Sequence, residues 1–307
     1  MGKDYDAITV NPEGAVFIPE IWASEALVKL RSNLNLGKTI RRDLDDEVAR
    51  YGDTIKIPKT GALSLNTKTK NKDVTKQDPT ATEVEVKLDQ HKEVTFLVED
   101  PAAAMAKQDI RARYIDDAVA VVAEGIESAI AAQYAYADSH IDFDTSSEDT
   151  IQDSMLEIRK HFTDVKANRL MPRHLYGSSS LTNELLAVDK FTKANEYGSR
   201  TPVVDGILGD MYGIGLFESQ LVAESGSPVT EHNLAYVSDA IALVMRGLPT
   251  HGRQMGVDQT LVTDPESGFS IRITTSYNPD ALGIQVTLDV LYGIKTVRPE
   301  FLLDVRL

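Results

Sequence analysis

Gly52-Asp53-Thr54-Ile55-Lys56-Ile57-Pro58 and Glu83-Val84-Glu85-Val86-Lys87-Leu88 bracket the stretch that decides the fold. In both, polar or charged residues alternate with aliphatic ones at period two, the pattern of a strand with one buried face. Between them, Pro58 to Thr82 is polar and rich in Thr, Lys and Asn. A connection of about 25 residues is long for a structureless loop inside a compact domain. The pattern therefore predicts two strands that carry a projecting hairpin arm. The arm is basic: Lys56, Lys59, Lys68, Lys70, Lys72 and Lys76 stand against Asp73 alone, a net charge of +5.

Downstream, Val94-Thr95-Phe96-Leu97-Val98 reads as a further strand, closed by Glu99-Asp100-Pro101. From Asp109 to about Asp138, Ile115, Val119, Val122, Ile126, Ile130 and Gln133 recur three or four residues apart, with Ala filling much of the remainder. This predicts a helix of roughly 30 residues, about 45 Å long. Gly125 inside it costs about 1 kcal/mol relative to Ala, which implies a packing reason or a slight bend. A second helix fits 151–162, behind the capping run Ser146-Ser147-Glu148-Asp149-Thr150. From Tyr114 to Ile158 there are eleven acidic residues and no Lys or Arg.

Upstream, Ile18-Pro19-Glu20-Ile21-Trp22 leads into a short helix beginning near Pro19, with Trp22, Ala26 and Leu30 on one face. Toward the C-terminus a helix fits Leu181 to Val188, and strands fit Ile214 to Phe217 and Ala240 to Arg246. Phe269 to Ile273 and Gly283 to Val290 alternate as strands. The order of elements predicts an α+β protein whose sheets are not repeated βαβ units.

The chain has 307 residues, no Cys and a formal net charge of −15. That length allows one large domain or two interleaved ones, with a full core that needs no covalent staple. Without Cys there is no disulfide framework, no thiolate zinc site and no thiol nucleophile, which suits a reducing compartment. The acidic balance disfavours nonspecific affinity for nucleic acid or anionic lipid. The first 30 residues lack the basic start and apolar run of a signal peptide, and Gly2 with Asp6 does not fit a myristoylation signal. No stretch approaches the roughly 18 apolar residues of a membrane span, so a soluble protein is expected.

Motifs for catalysis fall short. Gly37-Lys38-Thr39 ends like a phosphate-binding loop, but Ser32 stands where that loop needs its first Gly. Asp142 to Asp153 spaces oxygen ligands like a calcium loop, yet Ser147 replaces the turn glycine and Asp153 the closing Glu. A solvated acidic linker with helix-cap residues is the better reading. His91, His140, His161, His174, His232 and His251 lie far apart and form no metal-binding pair. Ser178, Ser179, Ser180, Ser225 and Ser227 sit in no Gly-x-Ser-x-Gly elbow, and capping and turns account for them. Gly206, Gly209, Gly213 and Gly215 depart from dinucleotide spacing and lead into strand-like Leu216-Phe217, so they read as turns. No catalytic, cofactor-binding or metal-binding residue is predicted.

Charge remains. Two solvated surfaces are the plain account of the basic arm and the acidic helix. The alternative is subunit contact, with Lys56, Lys59, Lys68, Lys70, Lys72 and Lys76 of one copy lying over Asp116, Asp117, Glu124 and Glu127 of another.

The layout resembles the major capsid proteins of tailed phages, with the HK97-like fold. Four segments in order carry the resemblance. Ile18-Pro19-Glu20-Ile21-Trp22 with Glu25-Ala26-Leu27 is similar to the family's opening, and Gly52 to Pro58 to its entry into an extended loop. Val204 to Ser219, with Gly206-Ile207-Leu208-Gly209 and Met211-Tyr212-Gly213-Ile214, resembles a Gly-rich strand entry. Leu291-Tyr292-Gly293-Ile294-Lys295-Thr296-Val297-Arg298-Pro299-Glu300 resembles the C-terminal strand signature, above all that of the P22-coat-like subgroup.

The resemblance implies an N-terminal arm at 1–45 and an extended loop at 46–92. It implies a peripheral domain at 93–167 plus 250–290, with a spine helix over 109–138, and an axial domain at 168–249 plus 291–307. It implies a structural, non-enzymatic coat protein. Copies would assemble as pentamers and hexamers into an icosahedral shell, in the host cytoplasm, around double-stranded DNA held without sequence-specific contact. A portal protein is an implied partner, and so is a separate scaffolding protein if Met1 is the start. No membrane is involved. The encapsulin-type nanocompartment, a shell of the same fold around protein cargo, is the alternative. Some family members crosslink a loop Lys to a neighbour's Asn, and no motif here assigns the partner Asn or Glu.

Overall fold

The period-two stretches pair with each other. β1 (Thr54–Thr60) and β2 (Ala81–Lys87) run antiparallel, with Ile55 opposite Val86 and Ile57 opposite Val84. The structure, a computed structural model, describes residues 26, 34–42, 54–60, 63–77, 81–99, 110–167, 171–188, 209–250, 257–263 and 269–307. The helix expected near Pro19 lies outside these residues, except that Ala26 is helical and buried.

The root of the hairpin is anchored in three ways. Ile55, Ile57 and Val86 turn inward against Ala242, Val244 and Val297, a small apolar cluster separate from the main core. Lys59 Nζ reaches Glu300 at 2.9 Å. The backbone of Lys87 crosses so close to Gly293 that a Cβ on that glycine would lie 2.1 Å from the Lys87 carbonyl oxygen. Residues 63–77 beyond the ladder form no strand. Their two limbs are tied where Gln77 Oε1 accepts from Ser64 N at 2.7 Å and Gln77 Nε2 donates to Ser64 O at 2.5 Å. Apart from Leu63, Leu65 and Val74 the stretch is polar, with too few apolar residues to bury a face, and it forms an exposed loop.

A five-stranded sheet follows: β10 (Ile241–Arg246), β13 (Gly283–Thr296), β12 (Ser270–Asn278) and β11 (Val257–Thr263) in that order, with β3 (Gln90–Glu99) also on β13. Helix α2 (Ile110–Ala131) contacts β3 and β13. Its inward stripe is Ile115, Val119, Val122, Ile126 and Ile130, all buried, as the spacing predicts. The helix is shorter than predicted. It ends at Ala131, a 3-10 segment takes Ala132–Tyr136, and the chain is already extended at Ala137. The physical cause is β4 (Ser139–Asp142), which must run out to pair with β14 (Leu302–Arg306). At 22 residues the helix is about 33 Å long. A Cβ at Gly125 would meet nothing within 4 Å, so the expected packing reason for that glycine is absent among the described residues.

A seven-stranded sheet has the order β4, β14, β9 (Thr230–Val237), β5 (Arg173–Gly177), β7 (Ile214–Glu218) and β6 (Asp210–Met211), with β8 (Ala223–Ser225) on β9. Helix α3 (Glu148–Asp164) begins at a capping box of Ser147 and Thr150, and α4 (Ser179–Ala187) at Ser178, whose side chain accepts from Leu181 N. The serine runs are therefore caps. Gly209 and Gly213, at φ +62° and +78°, turn the chain into β7, as read from the sequence.

Both sheets and all three of these helices share one core. The sheets divide the chain differently from the boundaries implied by resemblance. β13 runs unbroken across 290/291, β10 joins the five-stranded sheet, and β4 joins the seven-stranded one. Backbone pairing sets these memberships, and composition does not mark them.

Candidate functional site

The arm's lysines have different fates. Lys56 Nζ lies 3.0 Å from Glu83 and 3.6 Å from Glu85 on the adjoining strand, and the Glu83 hydrogen bond and charge raise its pKa. Lys59 is engaged with Glu300. Lys68 Nζ donates to the carbonyls of Thr69, at 3.0 Å, and Lys72. Lys68, Lys70, Lys72 and Lys76 are exposed. Three large apolar side chains stand among them in water: Leu63, Leu65 and Val74 are 68%, 101% and 66% exposed.

On α2, Tyr114, Asp117, Val121 and Glu124 share the outward face at spacings of three and four, and all are exposed. Asp116 lies in the same helix. Glu127 does not belong to this surface, which corrects its place among the expected contact residues. Position 127 follows Ala123 by one turn, on the buried stripe, and Glu127 is 3% exposed. Its carboxylate accepts from Leu36 N at 3.1 Å and Gly37 N at 3.2 Å. These are the first residues of the short helix α1 (Leu36–Thr39). The amides that the remnant phosphate-loop motif offers are thus taken by an internal carboxylate. Burial raises the Glu127 pKa, against the pull of those amides.

Around that carboxylate, Thr39 Oγ1 and Tyr236 OH are 2.5 Å apart, and Tyr176 OH donates to Ser219 Oγ at 2.5 Å. Burial pushes the Tyr176 hydroxyl up to about 12 and raises Tyr236 as well. Every group here has a partner, so the network fastens α1 to the core. Sequence reasoning missed it because the partners lie some 90 positions apart. Only the helical phase of position 127 hinted at burial.

The region 142–153 is built as a helix entry. Asp144 Oδ1 accepts from Ser146 N at 2.8 Å and Ser146 Oγ at 2.5 Å, contacts that lower its pKa. Between β2, the end of α2 and β13 lies a cleft of 750 Å³ lined by Glu83, Glu85, Lys87, Gln133, Tyr136 and Lys295, charged and open rather than shaped for a small apolar ligand.

No family model and no curated relative matches the chain in sequence. Solved structures do match in shape. Mycobacterium phage Che8 superposes with a TM-score of 0.68 at 18% identity, over 89% of this chain and 90% of that one. The capsid structure of cyanophage P-SCSP1u gives 0.61 at 12% identity, over 83% of each. A virus-like particle from Pyrococcus furiosus gives 0.55 at 10% identity, over 93% of this chain and 98% of that one. The chain has the fold of phage capsid proteins, the HK97-like fold.

Proposed function

We propose that the chain is the major capsid protein of a tailed phage, a structural protein whose copies close into an icosahedral shell around double-stranded DNA. The observation that carries this reading is the two-way coverage, 83% of both chains against the cyanophage capsid, which matches most of each protein rather than one shared domain. The five-stranded sheet with α2 would form the peripheral domain and the seven-stranded sheet the axial one. Pentamers and hexamers would be the building units, with a separate scaffolding protein and a portal as partners and the virion as destination.

The contact is narrower than charge counting implied. The tip, with Leu63, Leu65, Val74, Lys68, Lys70, Lys72 and Lys76, would lie on the outward face of α2 in a second copy, near Tyr114, Asp116, Asp117, Val121 and Glu124. Lys56 and Lys59 hold the root of the arm within their own chain.

Electron microscopy of the expressed protein, with and without a scaffolding partner, tests the proposal: closed shells of uniform diameter are expected. Small oligomers under every assembly condition would overturn it. The likeness to the Pyrococcus furiosus particle favours a second reading, a nanocompartment around protein cargo. Nucleic acid inside purified particles decides between the two.

A further inference from the structure

The hairpin of β8 and β9 aligns three groups that no sequence motif connects. Ser225 ends β8, and its Oγ lies 2.6 Å from Nε2 of His232 on β9. Nδ1 of the same ring lies 2.9 and 3.0 Å from the two carboxylate oxygens of Asp304 on β14. His232 and Asp304 are 6% and 3% exposed, whereas Ser225 faces solvent. Tyr134 stacks on the imidazole with ring centroids 4.0 Å apart, and Arg306 Nε holds Asp304 Oδ2 at 2.8 Å. The ring is therefore fixed in its plane, with one nitrogen on a buried carboxylate and the other on an exposed hydroxyl. Glu231, the remaining charged neighbour on β9, is turned to Ser178 and Ser180.

A turn serine needs no such arrangement, since water satisfies its hydroxyl. The ladders β8–β9 and β9–β14 already join these strands. The geometry instead supplies the three roles of nucleophilic catalysis: an exposed hydroxyl, a base within hydrogen-bond reach, and a carboxylate that fixes the base.

We propose that Ser225 is a nucleophilic serine, a covalent modification site that accepts the acyl group of an activated ester. His232 is its base and Asp304 a positioning residue. Ser225 Oγ bonds to the acyl carbon and the ester C–O bond breaks. The hydroxyl proton passes to His232 Nε2 and then to the departing aryloxide or alkoxide. The product is one ester per chain, a stoichiometric modification rather than turnover, and it does not depend on the shell reading.

The test is acetylation of the intact protein by p-nitrophenyl acetate, resolved by residue with peptide mass spectrometry. Ser227, two residues on and also exposed, is a control within the same turn. A positioned base accelerates such steps about 100-fold or more, so Ser225 should acquire acetyl that much faster than Ser227. Asp304→Asn should slow acetylation of Ser225 and leave Ser227 at the parent rate, whereas a loss of fold would change both serines. Equal rates at the two serines, or acetyl on lysines alone, would overturn the proposal without recourse to any variant.

Discussion

At Glu127 a single helical step separates surface from interior. Its net shift is upward, because burial outweighs the amides of Leu36, Gly37 and Asn35 and the charge of Lys38, which favour the charged form. The folded state therefore holds this proton more tightly than the unfolded chain does. Between the unfolded carboxyl range and the raised folded value, the contribution of Glu127 to stability falls as pH rises. Glu127→Gln removes the ionisation, so the melting temperature of the parent, relative to this variant, should decline as pH climbs through that window. A difference constant with pH would contradict the assignment. Glu127→Ala strands two amides and should cost about 1–3 kcal/mol for each, read from urea unfolding. The acidic run 114–158 was legible as a run, but counting charges ignores phase. The buried stripe already contained position 127, while Asp117 and Glu124 fall on the outward face.

Among elements, the hairpin was the most legible, since period-two alternation on either side of a polar tract leaves little else. How it is rooted was not legible. Gly293 lies some 200 positions from the strand it accommodates, and nothing near it in sequence announces a crossing. A Cβ there must displace the backbone of Lys87. Gly293→Ala should cost roughly 1–3 kcal/mol or more, and limited proteolysis should find the arm cut earlier than in the parent. Gly125 is the opposite case. With open space where its Cβ would sit, Gly125→Ala should stabilise the isolated chain by up to about 1 kcal/mol, seen as a higher urea midpoint. The end of α2 could not be read from spacing, because Gln133 falls at the next step of the three-or-four rhythm. The pairing of β4 with β14, set by residues far away, takes the chain out of the helix.

For the whole molecule, the α+β class was visible in the sequence, while several strands, β4, β5, β9, β11 and β14 among them, and the sheet memberships were not, because pairing between distant strands leaves no local mark. Within a chain of net charge −15, the tip is basic and the outward face of α2 presents Asp117 and Glu124. Exposed ion pairs contribute about 0–1 kcal/mol each, so any single lysine should be dispensable. Lys68→Glu, Lys70→Glu and Lys72→Glu together should abolish or strongly slow particle formation and change its salt dependence, as followed by light scattering. Normal particles with an unchanged salt response would show that the tip does not pair by charge. One further property follows from β14, which lies between β4 and β9 rather than at a sheet edge. Without residues 302–306, β4 and β9 would face each other across a gap that no other described strand fills. Any cleavage or deletion that removes 302–306 therefore parts β4 from the rest of its sheet instead of trimming an edge, so damage to one short strand becomes damage to a whole sheet.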